Sequence, residues 1–226
     1  MTEKSPISAS EEALDFPAVV SSDQAGLGAS LILKRALDLL VSGAALLILS
    51  PLLAIIAVLI KLDSEGPIFY RSVRVGKKGR NFNFYKFRTM VINAHRLKSD
   101  LLHLNERDGP LFKMAADPRI TVVGRWLRRF SLDELPQLWS VFVGDMSLVG
   151  PRPPDIEEIH HYRPEDMRTL DVTPGVTGLW QITARLDPSF ELKMALDLEY
   201  IEKWSLLLDS KILLKTIPVV FKGDGQ

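Results

Sequence analysis

Residues 39–60 read LLVSGAALLILSPLLAIIAVLI, without one charged side chain, and no other run limits the fold as strongly. As a helix rising about 1.5 Å per residue it would reach roughly 33 Å, the thickness of a hydrocarbon core of about 30 Å. Hydropathy alone favours a plain membrane-spanning helix. Two features oppose that. Pro51 lies at the centre and cannot donate to the carbonyl of Leu47, so a break is expected at Ser50-Pro51. Basic residues also flank both ends, Lys34 and Arg35 before the run and Lys61, Arg71, Arg74, Lys77 and Lys78 after it. A spanning helix gathers its lysines and arginines on one side. A helix over residues 31–62 that enters, breaks at Ser50-Pro51 and returns to the same side satisfies both flanks.

The remainder divides around that segment. Residues 1–30 are rich in Ser, Ala and acidic side chains and lack apolar periodicity, so they are expected to form a disordered tail. They carry no basic region of the kind that opens a secretory signal. Although the net charge is zero, this tail holds Lys4 against Glu3, Glu11, Glu12, Asp15 and Asp23, which leaves the rest of the chain basic. That asymmetry suits an anionic ligand or a membrane surface. The absence of cysteine excludes disulfides, thiol nucleophiles and cysteine-bound zinc, and the four histidines lack ligand spacing.

Residues 63–226 then read as one catalytic-sized domain. A β-hairpin is expected from Ile68–Val75 and Asn81–Met90 about the Gly76-Lys77-Lys78-Gly79 turn. Its second arm sets Phe82, Phe84, Tyr85 and Phe87 among Lys86 and Arg88. Such interleaving also stacks nucleic-acid bases, but a half-buried hairpin accounts for it, with Lys86 and Arg88 turned towards a phosphate. A polar helix follows over 91–104, and closing helices are expected over Ser189–Trp204 and Ser210–Phe221, the last able to lie in a membrane interface.

Arg128 to Trp139, RRFSLDELPQLW, places two adjacent carboxylates, Asp133 and Glu134, directly after arginines that share a helical face with Arg125. A helix should begin there. Capping by Asp133 puts Pro136 in the first turn, where its missing N–H is harmless; capping by Ser131 makes a box with Glu134 but strains Pro136. Acidic residues in a first turn ordinarily only cap it, and an arginine run ordinarily forms a solvated face. Together they also make a place for phosphates and a bridging magnesium ion. Further on, prolines on both sides of Arg152 hold it with little freedom to lose on binding a phosphate, or simply shape a surface turn. The Pro174-Gly175-Val176-Thr177-Gly178 loop either wraps a nucleotide or connects two helices. No Walker or Rossmann spacing is present.

These segments resemble the bacterial sugar transferase family, the monotopic phosphoglycosyl transferases that act on polyprenyl phosphate. The likeness rests on Lys34-Arg35 with Asp38, Ser50-Pro51, Tyr85 to Met90, Ser131 to Leu138, Met146 to Pro153, Pro174 to Gly178, and Asp197 with Tyr200. It implies a helix-rich α+β fold: a monotopic membrane protein with a re-entrant broken helix, a small β-hairpin and interfacial helices. It further implies location at the cytoplasmic face of the bacterial inner membrane, with both termini cytosolic. The implied reaction moves a sugar-1-phosphate from a UDP-sugar to undecaprenyl phosphate, releases UMP, and initiates exopolysaccharide, capsule or O-antigen assembly. Asp133 would be the nucleophile that carries the phosphosugar, with Glu134 placing magnesium or a proton, both carboxylates serving as metal ligands. Arg128, Arg152, Lys86, Arg88 and Asp197 would serve the phosphates. No nucleic-acid partner is expected, and a homo-oligomer is left open. Two departures stand out. The usual Asn-Gly-Arg reads Thr183-Ala184-Arg185, and the large N-terminal membrane domain of many relatives is replaced by a short tail, as in a minimal enzyme or the catalytic part of a longer ancestor. The rival readings are a membrane-bound hydrolase of nucleotide diphosphate sugars and a non-catalytic membrane scaffold.

Overall fold

The computed structural model describes residues 24–106, 114 and 116–223. The tail expected over 1–30 therefore lies outside the described residues up to position 23, while 24–30 belong to helix α1, Gln24–Asp63. This is, among the described residues, the one helix long and apolar enough to cross a membrane, and only 11% of its most apolar window is buried. A core helix would hide its leucines. Here Ile32, Leu40, Leu47, Ile48 and Leu62 are all largely exposed, so the helix needs lipid around it, and the chain is membrane-associated.

The break expected at Ser50-Pro51 is corrected. The backbone remains helical through Pro51, and the acceptor that proline orphans finds another donor: Ser50 Oγ donates to Leu47 O at 2.8 Å. The serine hydroxyl replaces the missing N–H, which matters most where no water can do so.

One stripe of α1 faces protein. Asp38, Ser42, Ile56 and Ile60 are buried, spaced as a single helical face allows. Near its start Lys34 Nζ donates to Asp209 Oδ2 (2.5 Å) and Val149 O (3.0 Å), and Arg35 donates to the carbonyls of Val141 and Phe142. Asp38 Oδ1 accepts from the N–H of Leu148 at 3.0 Å. At the far end Asp63 Oδ2 accepts from the N–H of Val123 at 3.0 Å. Both ends of the apolar helix thus grip the same body.

That body opens with the antiparallel pair β1 (Phe69–Val75) and β2 (Asn81–Phe87), in register from Phe69 opposite Phe87 to Val75 opposite Asn81. Phe84 and Phe87 are the buried residues of β2, three apart and so on opposite faces of the hairpin. Helix α2 (Ala94–Leu101) follows, then α3 (Val122–Arg129), capped by Thr121, whose side chain accepts from Gly124 N. A 3-10 turn over Leu132–Glu134 leads into α4 (Gln137–Val143). Neither expected side-chain cap forms: Pro136 itself occupies the N-cap of α4, and Ser131, in a left-handed conformation (φ 55°), turns the chain from α3 into the 3-10 turn.

Two three-residue strands, β3 (Ser147–Val149) and β4 (Gly175–Thr177), pair in parallel, separated in sequence by α5 (Ile156–Ile159). The chain closes with α6 (Leu179–Thr183), α7 (Phe190–Glu202) and α8 (Leu206–Lys222), the last two capped by Ser189 and Ser205. One apolar cluster joins Phe84, Leu138, Val141, Met146, Val149, Tyr200 and Ile212; a second joins Ile56 and Ile60 of α1 to Phe87 and Leu127. The second cluster sets the hairpin and α3 directly on the membrane helix.

Candidate active site

The hairpin, the 3-10 turn, the loop before α5, helix α6 and the end of α8 enclose a cleft of about 1260 Å³. Antiparallel pairing decides what the hairpin contributes. Tyr70, Ser72 and Arg74 lie opposite Lys86, Phe84 and Phe82, so Arg74 and Lys86 share a face with Phe84 and both line the cleft. Their cationic groups stand 5.2 and 5.6 Å from the Phe84 ring centroid.

Asp133 and Glu134 meet this face. Lys86 Nζ is 2.6 Å from Glu134 Oε1 and 3.7 Å from Asp133 Oδ2, and Arg152 Nη2 donates to the same Glu134 oxygen at 3.1 Å. The two neighbours are therefore electrostatically unlike. Burial would raise the Glu134 carboxyl, but Lys86 and Arg152 outweigh it and hold the group well below the ordinary range. Burial dominates at Asp133 and pushes its carboxyl up, opposed by Lys86 and reinforced by the Glu134 charge. Arg152 is raised chiefly by Glu134. Arg128, lowered by burial, contributes its charge beside Asp133. Glu134 is thus the fixed anion. Asp133 lines the cleft and has no hydrogen-bond partner among the described residues.

The loops explain why Arg152 stands there. Ser147 N donates to Pro174 O (2.8 Å), Gly150 N to Thr177 O (2.9 Å) and Gly175 N to Pro151 O (2.8 Å). Gly150 and Gly175 come so close that a Cβ on Gly175 would overlap the backbone of Gly150. The glycine loop therefore splints the loop of Arg152, and its Val176 and Thr177 line the cleft.

The structure brings Asp133, Glu134, Lys86, Arg128 and Arg152 together around the cleft. Arg88 and Asp197, the other expected site residues, are placed differently. Arg88 also lines the cleft, but it is largely buried and donates to the carbonyls of Ile60 (3.2 Å), Ser64 (2.7 Å) and Glu65 at the end of α1; its guanidinium serves the negative end of that helix. Asp197 is 1% exposed, does not line the cleft, and pairs with equally buried Lys193 at 3.7 Å. Burial lifts its carboxyl to about 6 despite that lysine. Ser50 and Pro51 lie away from the cleft on α1.

Sequence reasoning missed Arg74, Thr89, Glu158 and Arg185. Arg74 pairs with Asp155 (2.9 Å) and Glu158 (3.5 Å), joining the hairpin to the start of α5. Arg185 Nη1 donates to Ser131 Oγ at 3.0 Å, and its charge helps to depress Glu134. Hairpin alternation was the available signal for Arg74; for Arg185 it was the altered Thr183-Ala184-Arg185 itself.

No group of three acidic or histidine side chains among the described residues could enclose a metal alone. Magnesium does not require one, because it commonly binds through one or two carboxylates and takes its other ligands from water and substrate phosphates. Asp133 and Glu134 fit that pattern.

The bacterial sugar transferase family model matches residues 29–223. The chain is 45% identical over 197 residues to the galactosyl transferase CpsE of Streptococcus agalactiae, covering 86% of this chain and 43% of that one. It is 44% identical over 199 residues to the exopolysaccharide production protein ExoY of Sinorhizobium fredii, with 86% and 88% covered. It is 42% identical over 203 residues to an undecaprenyl-phosphate galactose phosphotransferase of Salmonella typhimurium, with 87% and 42% covered. The chain thus spans nearly all of ExoY and under half the length of the other two.

Proposed function

The chain belongs to the bacterial sugar transferase family, and from that premise we propose that it transfers a sugar-1-phosphate from a UDP-sugar to undecaprenyl phosphate, releasing UMP and initiating an exopolysaccharide or capsule. The observation that carries the reading is the pairing of an unbonded, cleft-lining Asp133 with a Glu134 held ionised by Lys86 and Arg152.

In the first displacement an Asp133 carboxylate oxygen attacks the β-phosphorus. The bond from that phosphorus to the bridging oxygen breaks, the electron pair leaves with UMP, and the phosphosugar stays on Asp133. In the second, a phosphate oxygen of the polyprenyl phosphate attacks the same phosphorus and the Asp133 carboxylate departs. A carboxylate approaching a diphosphate meets like charge, so Arg128, Arg152 and Lys86 must neutralise the phosphoryl oxygens. Magnesium, held by Asp133 and Glu134, would add charge stabilisation there. Dividing the transfer lets the soluble nucleotide leave before the lipid arrives.

In this reading α1 re-enters by bending at Ser50-Pro51 while its backbone stays helical, with both ends on the cytoplasmic face. Support comes from Lys34 gripping Asp209 and Asp63 accepting from Val123: crossing a core of about 30 Å would part anchors that hold one body. This arrangement sets the cleft at the depth of the lipid phosphate.

The test supplies a panel of UDP-sugars and magnesium with and without undecaprenyl phosphate and counts UMP. About one UMP per enzyme without lipid, continuous release with it, and a phosphosugar adduct on Asp133 by mass spectrometry are expected. Asp133→Asn should give neither burst nor adduct. Steady release without lipid would make the protein a hydrolase, and no release at all would leave a scaffold.

A further inference from the structure

We propose that Thr89 is a positioning residue for Arg128: its hydroxyl anchors the guanidinium by one edge so that the other two nitrogens face the phosphates. The inference rests on the transferase reading and adds a residue that the family resemblance assigned no task.

Arg128 Nε donates to Thr89 Oγ1 at 2.9 Å, and among the described residues this is the only hydrogen bond the guanidinium makes. Both residues line the cleft beside Asp133. A guanidinium carries its donors in a fixed planar fork, so one bond at Nε sets the direction of both Nη groups. Without it, a side chain with several rotatable bonds must be ordered by the substrate itself.

Thr89 is held from its other side by the helix that carries Arg128. Thr121 N donates to Thr89 O (3.0 Å), and Met90 bridges to Ile120. Gly124 touches the Thr89 backbone so closely that a Cβ there would overlap the Thr89 carbonyl. Gly124 and Arg128 are one turn apart on one helical face. The first lets that face approach residue 89 and the second reaches back to its hydroxyl. Thr89 is only 6% exposed, which leaves the Arg128 Nε few alternatives when the hydroxyl is removed.

The experiment uses the full chain in detergent with magnesium. UDP, the nucleoside diphosphate probe, is titrated calorimetrically into wild type, Thr89→Val, Thr89→Ser and Arg128→Met proteins, and into the Thr89→Val, Arg128→Met double variant. Thr89→Val keeps the shape and loses the acceptor, so UDP affinity should fall about tenfold. Thr89→Ser, which keeps the hydroxyl, should stay within about twofold, and Thr89→Val should cost nothing further in the Arg128→Met background, because coupled groups are not additive. Equal losses in both backgrounds, or a Thr89→Ser protein as weak as Thr89→Val, would overturn the proposal by making the effect one of packing. UMP release is measured alongside. An inactive wild type overturns the transferase reading, whereas an active wild type with normal UDP binding in Thr89→Val overturns only the role of Thr89.

Discussion

Asp133 and Asp197 are both buried carboxyl groups weakened as acids by burial, and both lie within the field of Arg152, yet they are built for different ends. Asp133 opens on a cleft shared with Lys86, Arg128, Arg152 and Arg185. Asp197 is sealed with Lys193, whose ammonium sits 3.7 Å away with the same near-zero exposure. A raised carboxyl is thus no mark of chemistry by itself. Access separates the two: one carboxylate lines the cleft, while the other is sealed away from it beside its own lysine.

The contrast can be broken first through pH. Attack needs the ionised form of Asp133, and burial disfavours that form, so the UMP burst should fall about tenfold per pH unit on an acid limb displaced upward from an ordinary aspartate. Lys86 is the largest charge opposing that displacement. Lys86→Met should therefore carry the limb to higher pH, read from rapid-quench bursts across a buffer series; an unmoved limb would free Asp133 from Lys86.

Asp197 should answer in stability instead. Asp197→Leu strands the buried Lys193 charge and should cost about 3–5 kcal/mol, whereas Asp197→Leu with Lys193→Met should recover most of it. Melting in detergent micelles checks this, with the UMP burst of the folded fraction measured in parallel. A single variant that melts normally but forms no adduct would move Asp197 into the catalytic site.

The smallest effect is expected on α1. Ser50→Ala leaves the Leu47 carbonyl without its donor in a lipid-facing helix, a loss of about 1 kcal/mol. Ser50→Thr should restore it. A Ser50→Ala protein as stable as wild type would show that the carbonyl has another partner.

Periodic features were readable because they are local. The hairpin and the helix that follows Ser189 lie where the residues indicate, whereas the last helix begins at Leu206, ahead of the expected Ser210. Asp133 and Glu134 with nearby arginines were readable because the cluster is almost contiguous. The partners of Arg88 were not readable, since the carbonyls of Ile60, Ser64 and Glu65 come from the end of a helix well upstream, and a basic residue between aromatics looks the same whether it binds a phosphate or a peptide carbonyl. The β3–β4 pair was invisible because three residues carry no period; close approach at Gly150 and Gly175 makes it.

By itself the amino-acid order settled that an uncharged helix must seek lipid, that a basic body must sit beside it, and that two adjacent carboxylates stand among arginines, for these follow from composition and spacing. Only the tertiary structure decided which carboxylate lies open to the cleft, which arginines reach it and which cap a helix, because charge and burial at each atom depend on neighbours that the chain brings back from far along its length.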